Sequence, residues 1–437
     1  MDRPRTRALI AAAALAALPL SACSAGSLGS SAEEGVTGIT LMVSNAADTV
    51  EAAEAIAAAF EAENSDVDVT VETRPGGTEG DNLIKTRLAT GDMPDVFVYN
   101  TGSLLQALNP QQQLVDLSGE AWVGDIDQAF LDAAGGDDAT YGAPFGGVQA
   151  GAVLYNKAVY EELGLEVPRT WDEFMANSQA AVDSGRAGII QTYGETWTSQ
   201  LFVLGDFHNV LAAEPDFPER YTANEVGYAT SDAARKGFEH QQQAFEAGLF
   251  NENFPSATYP DGLAMLAEGE GVHFPILTGV VSELVDTYPD QVDDIGVFGL
   301  PGDDAASAGL TVWTPDGAYI PATTEGERLD AAKRLVAFIA SPGACEARNE
   351  VAPPTGPYPI QGCELPDDAP AASQDIATYL SEDRATPALE FLSPVKGPNL
   401  ENLTVEVGSG IRPADDAARL YDEDVAKQAQ QLGLEGW

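Results

Sequence analysis

The sequence predicts an α/β protein with a largely parallel sheet, and three observations predict it. An apolar run, Ile39-Thr40-Leu41-Met42-Val43, reads as a buried strand. Val50, Ala53, Ala57 and Phe60 then recur at helical spacing behind Asp48 and Glu51, which are placed as a capping box. Val67, Val69 and Val71 alternate as a second strand, Leu83 to Ala89 reads as a helix, and Asp95-Val96-Phe97-Val98-Tyr99 as a third strand. Strand, helix, strand, helix, strand is the order that lays helices over a parallel sheet.

Beyond Tyr141 the pattern continues through a turn-rich segment, Gly142-Ala143-Pro144-Phe145-Gly146-Gly147, into a strand over Ala150 to Tyr155. Thr170 and Glu173 cap a helix that runs to about Asp183 and ends at Gly185. Ile295 to Leu300 reads as a strand, and Leu329, Ala332, Val336 and Ile339 as one face of a helix stopped by Ser341-Pro342-Gly343. No repeat recurs along the chain, which argues against a solenoid or propeller.

The 437 residues suffice for two or three domains, and the 44% apolar content is that of a globular protein. Sixty-nine Asp and Glu against 21 Lys and Arg give a formal charge of −48. That balance excludes nucleic acid as a partner and argues against electrostatic docking on an anionic membrane. The acids are spread along the chain, as on a solvated surface.

Residues 1–22 form a signal peptide, with Arg3, Arg5 and Arg7 ahead of the apolar run Ala8 to Leu20. Leu20-Ser21-Ala22-Cys23 resembles a bacterial lipobox, so Cys23 is expected to carry lipid and residues 23–36 to form a flexible tether. The mature body would then lie outside the cytoplasm, held to the membrane through the anchor alone. In that oxidising setting Cys345 and Cys363 are expected to pair, stapling the Pro-rich loop between them. No metal site or cofactor is expected.

Several segments, in order, carry a family resemblance: Ala57 to Asn64 leading into Val67 to Val71; Leu88-Ala89-Thr90-Gly91-Asp92-Met93-Pro94-Asp95-Val96; Tyr141-Gly142-Ala143-Pro144-Phe145 followed by Leu154-Tyr155-Asn156-Lys157; Leu163-Gly164-Leu165 and Pro168 to Glu173; and Ala318-Tyr319-Ile320-Pro321-Ala322. Together they resemble the extracellular solute-binding proteins of sugar-type ABC importers, the broad group that includes maltose-binding protein. The resemblance implies a two-lobed periplasmic-binding-protein-like fold with a hinge. Lobe 1 would comprise residues 37–145 plus 301–343, and lobe 2 residues 150–295 plus 346–437, with crossings near 142–152, 295–302 and 343–350. It further implies a monomer that closes on a carbohydrate and is then recognised by the importer's membrane subunits.

Sugars pair an apolar ring face with a rim of hydroxyls, so their sites combine aromatic platforms with carboxylates, amides and backbone groups. Asn45, Asn100 and Thr101 follow strands, where ligands of open α/β sheets bind. Glu79 lies in a Gly-rich loop, and Phe145, Gly146 and Gly147 mark the first crossing. Trp197 with Glu195 is the second-lobe candidate, Trp313 is a further aromatic candidate just before Ala318-Tyr319-Ile320-Pro321, and Thr355 lies on the rim of the second lobe. The family often places a Gly-x-Trp after an Ala-Met pair. Here Ala264-Met265 leads to Gly269-Glu270-Gly271, leaving His273 or Phe274 for that wall.

Two other classes stand against this reading. The same fold could bind a non-sugar solute, such as a polyamine, an amino-acid derivative or an iron chelate. An enzyme is not expected, since there is no Gly-x-Ser-x-Gly elbow, no His-Glu-x-x-His helix and no paired histidines among His208, His240 and His273.

Overall fold

The structure is a computed structural model and describes residues 35–136 and 139–437. The signal peptide, Cys23 and nearly all of the tether lie outside the described residues. Strand β1 (Thr37–Ser44) pairs in parallel with β2 (Val67–Arg74) on one side and β3 (Val96–Tyr99) on the other. Ile39, Leu41, Met42 and Val43 of β1 are buried, and the helix Ala47–Glu63 lays Ala53, Ile56, Ala57 and Phe60 toward the core, as the apolar spacing required. The expected capping box at Asp48 does not form. Ala46 occupies the cap position, and Asp48 stands inside the first turn with its carboxylate on the backbone of Thr49.

Strand β4 (Gly142–Pro144) closes the far side of this first sheet by way of a later strand, β10 (Gly317–Tyr319), which runs antiparallel to both β3 and β4. The helix Gly326–Ile339 covers one face and is clasped to it by Asp95, which is buried and takes a 2.7 Å hydrogen bond from Arg328 Nε and one from the Thr40 amide. A buried carboxylate costs several kcal/mol unless paired in this way.

The second sheet is mixed, against the largely parallel expectation. Its spine is β5 (Gln149–Asn156). One edge of β5 pairs antiparallel with β7 (Gly271–Leu277), which in turn carries β6 (Ala187–Ile189) in parallel. The other edge is shared by β8 (Ile295–Gly299) and β9 (Leu310–Trp313), both antiparallel to β5, and β11 (Ala385–Pro387) adds to β9 in parallel. Thr170 caps the helix Trp171–Asp183 with the expected box, and Trp171 and Phe174 are buried beneath it. Helices Asp232–Glu246, Leu400–Gly408 and Ala414–Leu432 pack together as a helical layer of the same lobe.

The chain passes between lobes near the first expected place but not at the other two. The first passage, Phe145 to Val148, falls within residues 142–152. Residues 295–302 are not a crossing, because β8 and β9 both hydrogen-bond to β5; the second passage is Thr314 to Asp316. Residues 301–313 thus belong with lobe 2. Nor is there a crossing at 343–350, where the helix Pro342–Asn349 stays on the lobe 1 core. Cys345 and Cys363 form a disulfide, both on that core, and the third passage follows Cys363 before Ala372 joins the core of lobe 2. Residues 346–363 therefore go with lobe 1. Local spacing locates these strands, but their lobe is decided by which distant edge they pair with.

Candidate functional site

Between the lobes runs a cleft in two adjoining compartments of about 240 Å³ and about 530 Å³, which share Asp48, Gln149, Leu277 and Gly279 in their walls. From lobe 1, the helix start after β1 supplies Asp48 and Thr49, and the turn after β3 supplies Asn100, Thr101 and, one helical turn on, Leu104. From lobe 2, the last residue of β9 supplies Trp313, the end of β7 supplies Leu277, and the short helix Leu389–Leu392 supplies Glu390 and Phe391. Site residues thus gather at the carboxyl ends of strands, as open α/β sheets arrange them. The passages line the floor through Phe145, Gly146, Gly147, Thr314, Pro315 and Asp316, with Thr355 and Arg348 beside them.

Trp313 is held in one orientation. Its indole N–H donates to Glu390 Oε1 at 2.5 Å, and Glu390 is in turn ion-paired with Lys396. A Cβ on Gly151 would stand 2.5 Å from the Trp313 ring, so only glycine lets the ring lie against β5. At the other end Trp197 packs against Tyr259, ring centroids 5.9 Å apart, and these two rings line the larger compartment with Glu283 and Asp286. Burial, then the Glu283 carboxylate, push the Tyr259 phenol well above its ordinary range, so it stays a neutral hydroxyl.

The polar groups are mixed and partly tied. Thr101 Oγ1 lies 2.8 Å from Thr314 Oγ1, joining lobe 1 to the second passage. Arg348 stands over the Phe145 ring at 5.5 Å, and its buried Nη1 has no hydrogen-bond partner among the described residues. Burial raises the Asp316 carboxyl above the usual range, with Arg74 and Arg348 pulling it back. The lobes touch across the mouth, where Ser282 Oγ donates to Asp48 Oδ2 at 3.2 Å. A Cβ on Gly102 would meet the Glu390 carbonyl at 2.5 Å.

Of the residues singled out from sequence, the cleft brings together Asn100, Thr101, Phe145, Gly146, Gly147, Trp197, Trp313 and Thr355. Asn45 is exposed and outside the lining, and its neighbours Asp48 and Thr49 take the place expected for it. Glu79 is also outside, exposed in the first turn of the helix Gly77–Thr90, because that Gly-rich stretch winds into helix rather than forming a loop. Glu195 lies behind the Trp197–Tyr259 pair, where its carboxylate accepts from the Tyr259 amide at 2.5 Å. His273 is a core residue, bonded to Tyr160, Ser178 and the Gly188 carbonyl, and burial drops its pKa to about 3. Phe274 is likewise core, so neither forms the missing aromatic wall. Glu390 and Tyr259 carried no local signal beyond a residue type, Asp48 read only as a helix cap, and long-range packing brings all three to the cleft.

Two α/β lobes are joined by three passages, and a polar and aromatic cleft lies between them. The family model for bacterial extracellular solute-binding proteins matches residues 46–344, and the chain belongs to that family. It is similar to the multiple sugar-binding protein of Streptococcus mutans, 23% identical over 300 residues, which cover 67% of this chain and 68% of that protein. It is also similar to the melibiose/raffinose/stachyose-binding protein of Bacillus subtilis, 26% identical over 139 residues, 31% of this chain and 30% of that protein. Among solved structures, a raffinose complex of the solute-binding protein RafE matches with TM-score 0.74 at 21% identity, over 91% of this chain and 100% of that one. A chitin oligosaccharide binding protein matches with TM-score 0.76 at 18% identity, over 91% and 100%. At that identity the solved structures establish the fold.

Proposed function

We propose that this protein captures an oligosaccharide in the interlobe cleft by hinge closure and hands it to the membrane subunits of an ABC importer. The observation that carries the reading is the pairing of Trp313 with Trp197 and Tyr259 in two adjoining compartments: one ring platform in each, with hydroxyls, amides and tied carboxylates around them. A single sugar ring fills one compartment; a chain of two or more units fills both. In the smaller compartment Glu390 is ion-paired with Lys396, which suits hydroxyl donors better than a multivalent cation; the larger compartment gathers Asp48, Glu283 and Asp286 beside its rings, the feature a polyamine would use. The sugar-binding relatives support the same class. Cys23, in Leu20-Ser21-Ala22-Cys23, is proposed as the lipid anchor, and the body acts as a monomer at the outer face of the membrane.

A thermal-shift screen against mono- and oligosaccharides, with polyamines, amino acids and iron chelates alongside, tests the reading. A ligand at a hundred times its Kd stabilises by about 2.7 kcal/mol, a rise of several degrees. A response to oligosaccharides that exceeds the response to their monosaccharide units is expected. A response confined to the cations would move the assignment to a non-sugar solute.

A further inference from the structure

Lobe 2 holds a second cavity, of about 340 Å³, that shares no residue with the cleft. It lies among the short helix Phe207–Ala213, the helix Asp232–Glu246 and the loop at Gly302 to Ser307. Ala212, Ala213 and Ala233 give it an apolar side. Its polar side contains Asp206 and His240, each 1% exposed, and Asn209. Asp206 Oδ1 accepts from Asn209 Nδ2 at 2.7 Å, but Asp206 Oδ2, Asn209 Oδ1 and both ring nitrogens of His240 have no hydrogen-bond partner among the described residues. His240 is fixed by stacking on Trp171, ring centroids 4.0 Å apart, so it cannot turn away to find one. Leaving a buried polar atom unpaired costs about 1–3 kcal/mol, and here four such atoms belong to three residues that line one cavity.

The charge around the cavity says what would satisfy them. Asp206, Asp232, Asp303 and Asp304 line it against one cation, Lys236, which is engaged by Asp303 at 3.3 Å and by Glu239 at 3.6 Å. With Asp206 ionised, three of the four open atoms are acceptors and the fourth is the N–H of neutral His240, so the complement is a group rich in N–H donors, with an aliphatic part for the alanine side. We propose that this cavity is a second, separate binding site for a small organic cation, a primary ammonium with a short aliphatic stem. Its ammonium sits between Asp206 and His240, and its carbon chain lies against Ala212, Ala213 and Ala233. The rim pair Lys236–Asp303, with Asp303 4.0 Å from His240 Nε2, opens to admit it.

Burial sets how such binding responds to pH. It pushes the Asp206 carboxyl up to about 8, with Asn209 opposing, Asp303 adding and Lys236 opposing. The groups facing Asp206 are Asn209 on its own helix, Lys236 and His240 on the helix Asp232–Glu246, Asp303 on the loop, and the buried Tyr228. Burial lowers His240 to about 3, so it stays neutral. A cation binds the ionised carboxylate, releases its proton near neutrality, and binds more tightly as pH rises through 8.

Calorimetric titration of the purified protein with n-butylammonium, and with 1-butanol as the neutral isostere, tests this at pH 7 and pH 9. Saturable binding of n-butylammonium is expected, about tenfold tighter at pH 9, with proton release at pH 7 and no saturable binding of butanol. Asp206→Asn should weaken it at least ~10-fold. Ala213→Leu, which narrows the cavity without touching the carboxylate, should weaken it too, and circular dichroism with cooperative unfolding checks that both variants fold. Equal binding of butanol, no binding at either pH, a pH dependence that is absent or reversed, or unchanged affinity in both variants would each overturn the proposal.

Discussion

The two lobes face one cleft with different chemistry. Lobe 1 offers Asp48, Thr49, Asn100 and Thr101, short polar groups on a helix start and a strand end. Lobe 2 offers the rings of Trp313, Trp197, Tyr259 and Phe391. Under the proposed function the difference divides the work of binding: lobe 2 would present surface for ring faces, whereas lobe 1 would close over it with directional hydrogen bonds.

The largest test of that division is Trp313→Ala. Loss of a held aromatic platform is expected to weaken sugar binding by about 2–4 kcal/mol, roughly 30- to 1000-fold, measured by calorimetry, with Tm of the free protein little changed. An effect below tenfold would break the comparison. Next, Cys345→Ser together with Cys363→Ser removes the staple on lobe 1, and a loss of about 3 kcal/mol in unfolding stability is expected by denaturant titration. Both cysteines pack on the lobe 1 core, so lobe 2 should retain its own transition if the lobes unfold separately.

Smaller still, Asp48→Ala removes the lobe 1 contact to Ser282 and a hydrogen-bonding group of the cleft; about 1 kcal/mol in affinity is expected, appearing mainly as faster ligand release in stopped-flow traces. If Asp48→Ala costs more than Trp313→Ala, the polar lobe leads instead. The last effect is one of pH and concerns lobe 2 alone. Burial raises Asp206 from 3.8 to about 8, so the folded protein keeps a proton that the unfolded chain gives up between those values. Stability contributed by that proton falls as pH rises through the window and levels off above 8. The buried His240 and His273 act oppositely, gaining stability as pH rises from about 3 to 6.5. Between pH 6.5 and 8 Asp206 is therefore isolated from them, and Asp206→Asn should flatten the fall of Tm there.

How much of this was legible depends on the range of the interaction concerned. Thr170 and Glu173 formed their capping box as spacing predicts, whereas Asp48 and Glu51, with the same spacing, did not, because Ala46 holds the cap position. Asn100 and Thr101 reach the cleft because the residues after a parallel strand end face it whatever lies opposite. Glu79 failed the same kind of reasoning once its glycines joined a helix. His273 looked available for a site but lies on β7, where Tyr160 and Ser178 enclose it.

By itself, then, the sequence determined the α/β class, the short-range rhythm of strands and helices, the Cys345–Cys363 partnership and the aromatic residues available for a platform. These rest on periodicity, caps and covalent reach, all of which act within a few residues or through bond chemistry. Only the tertiary structure decided that β8 and β9 belong to lobe 2, that Trp197 meets Tyr259, that Glu390 fixes Trp313, and that Asp206 and His240 line one cavity. Each of those is a pairing between distant segments. Its free energy comes from burying surfaces and hydrogen-bonding edges that exist only once the chain has folded.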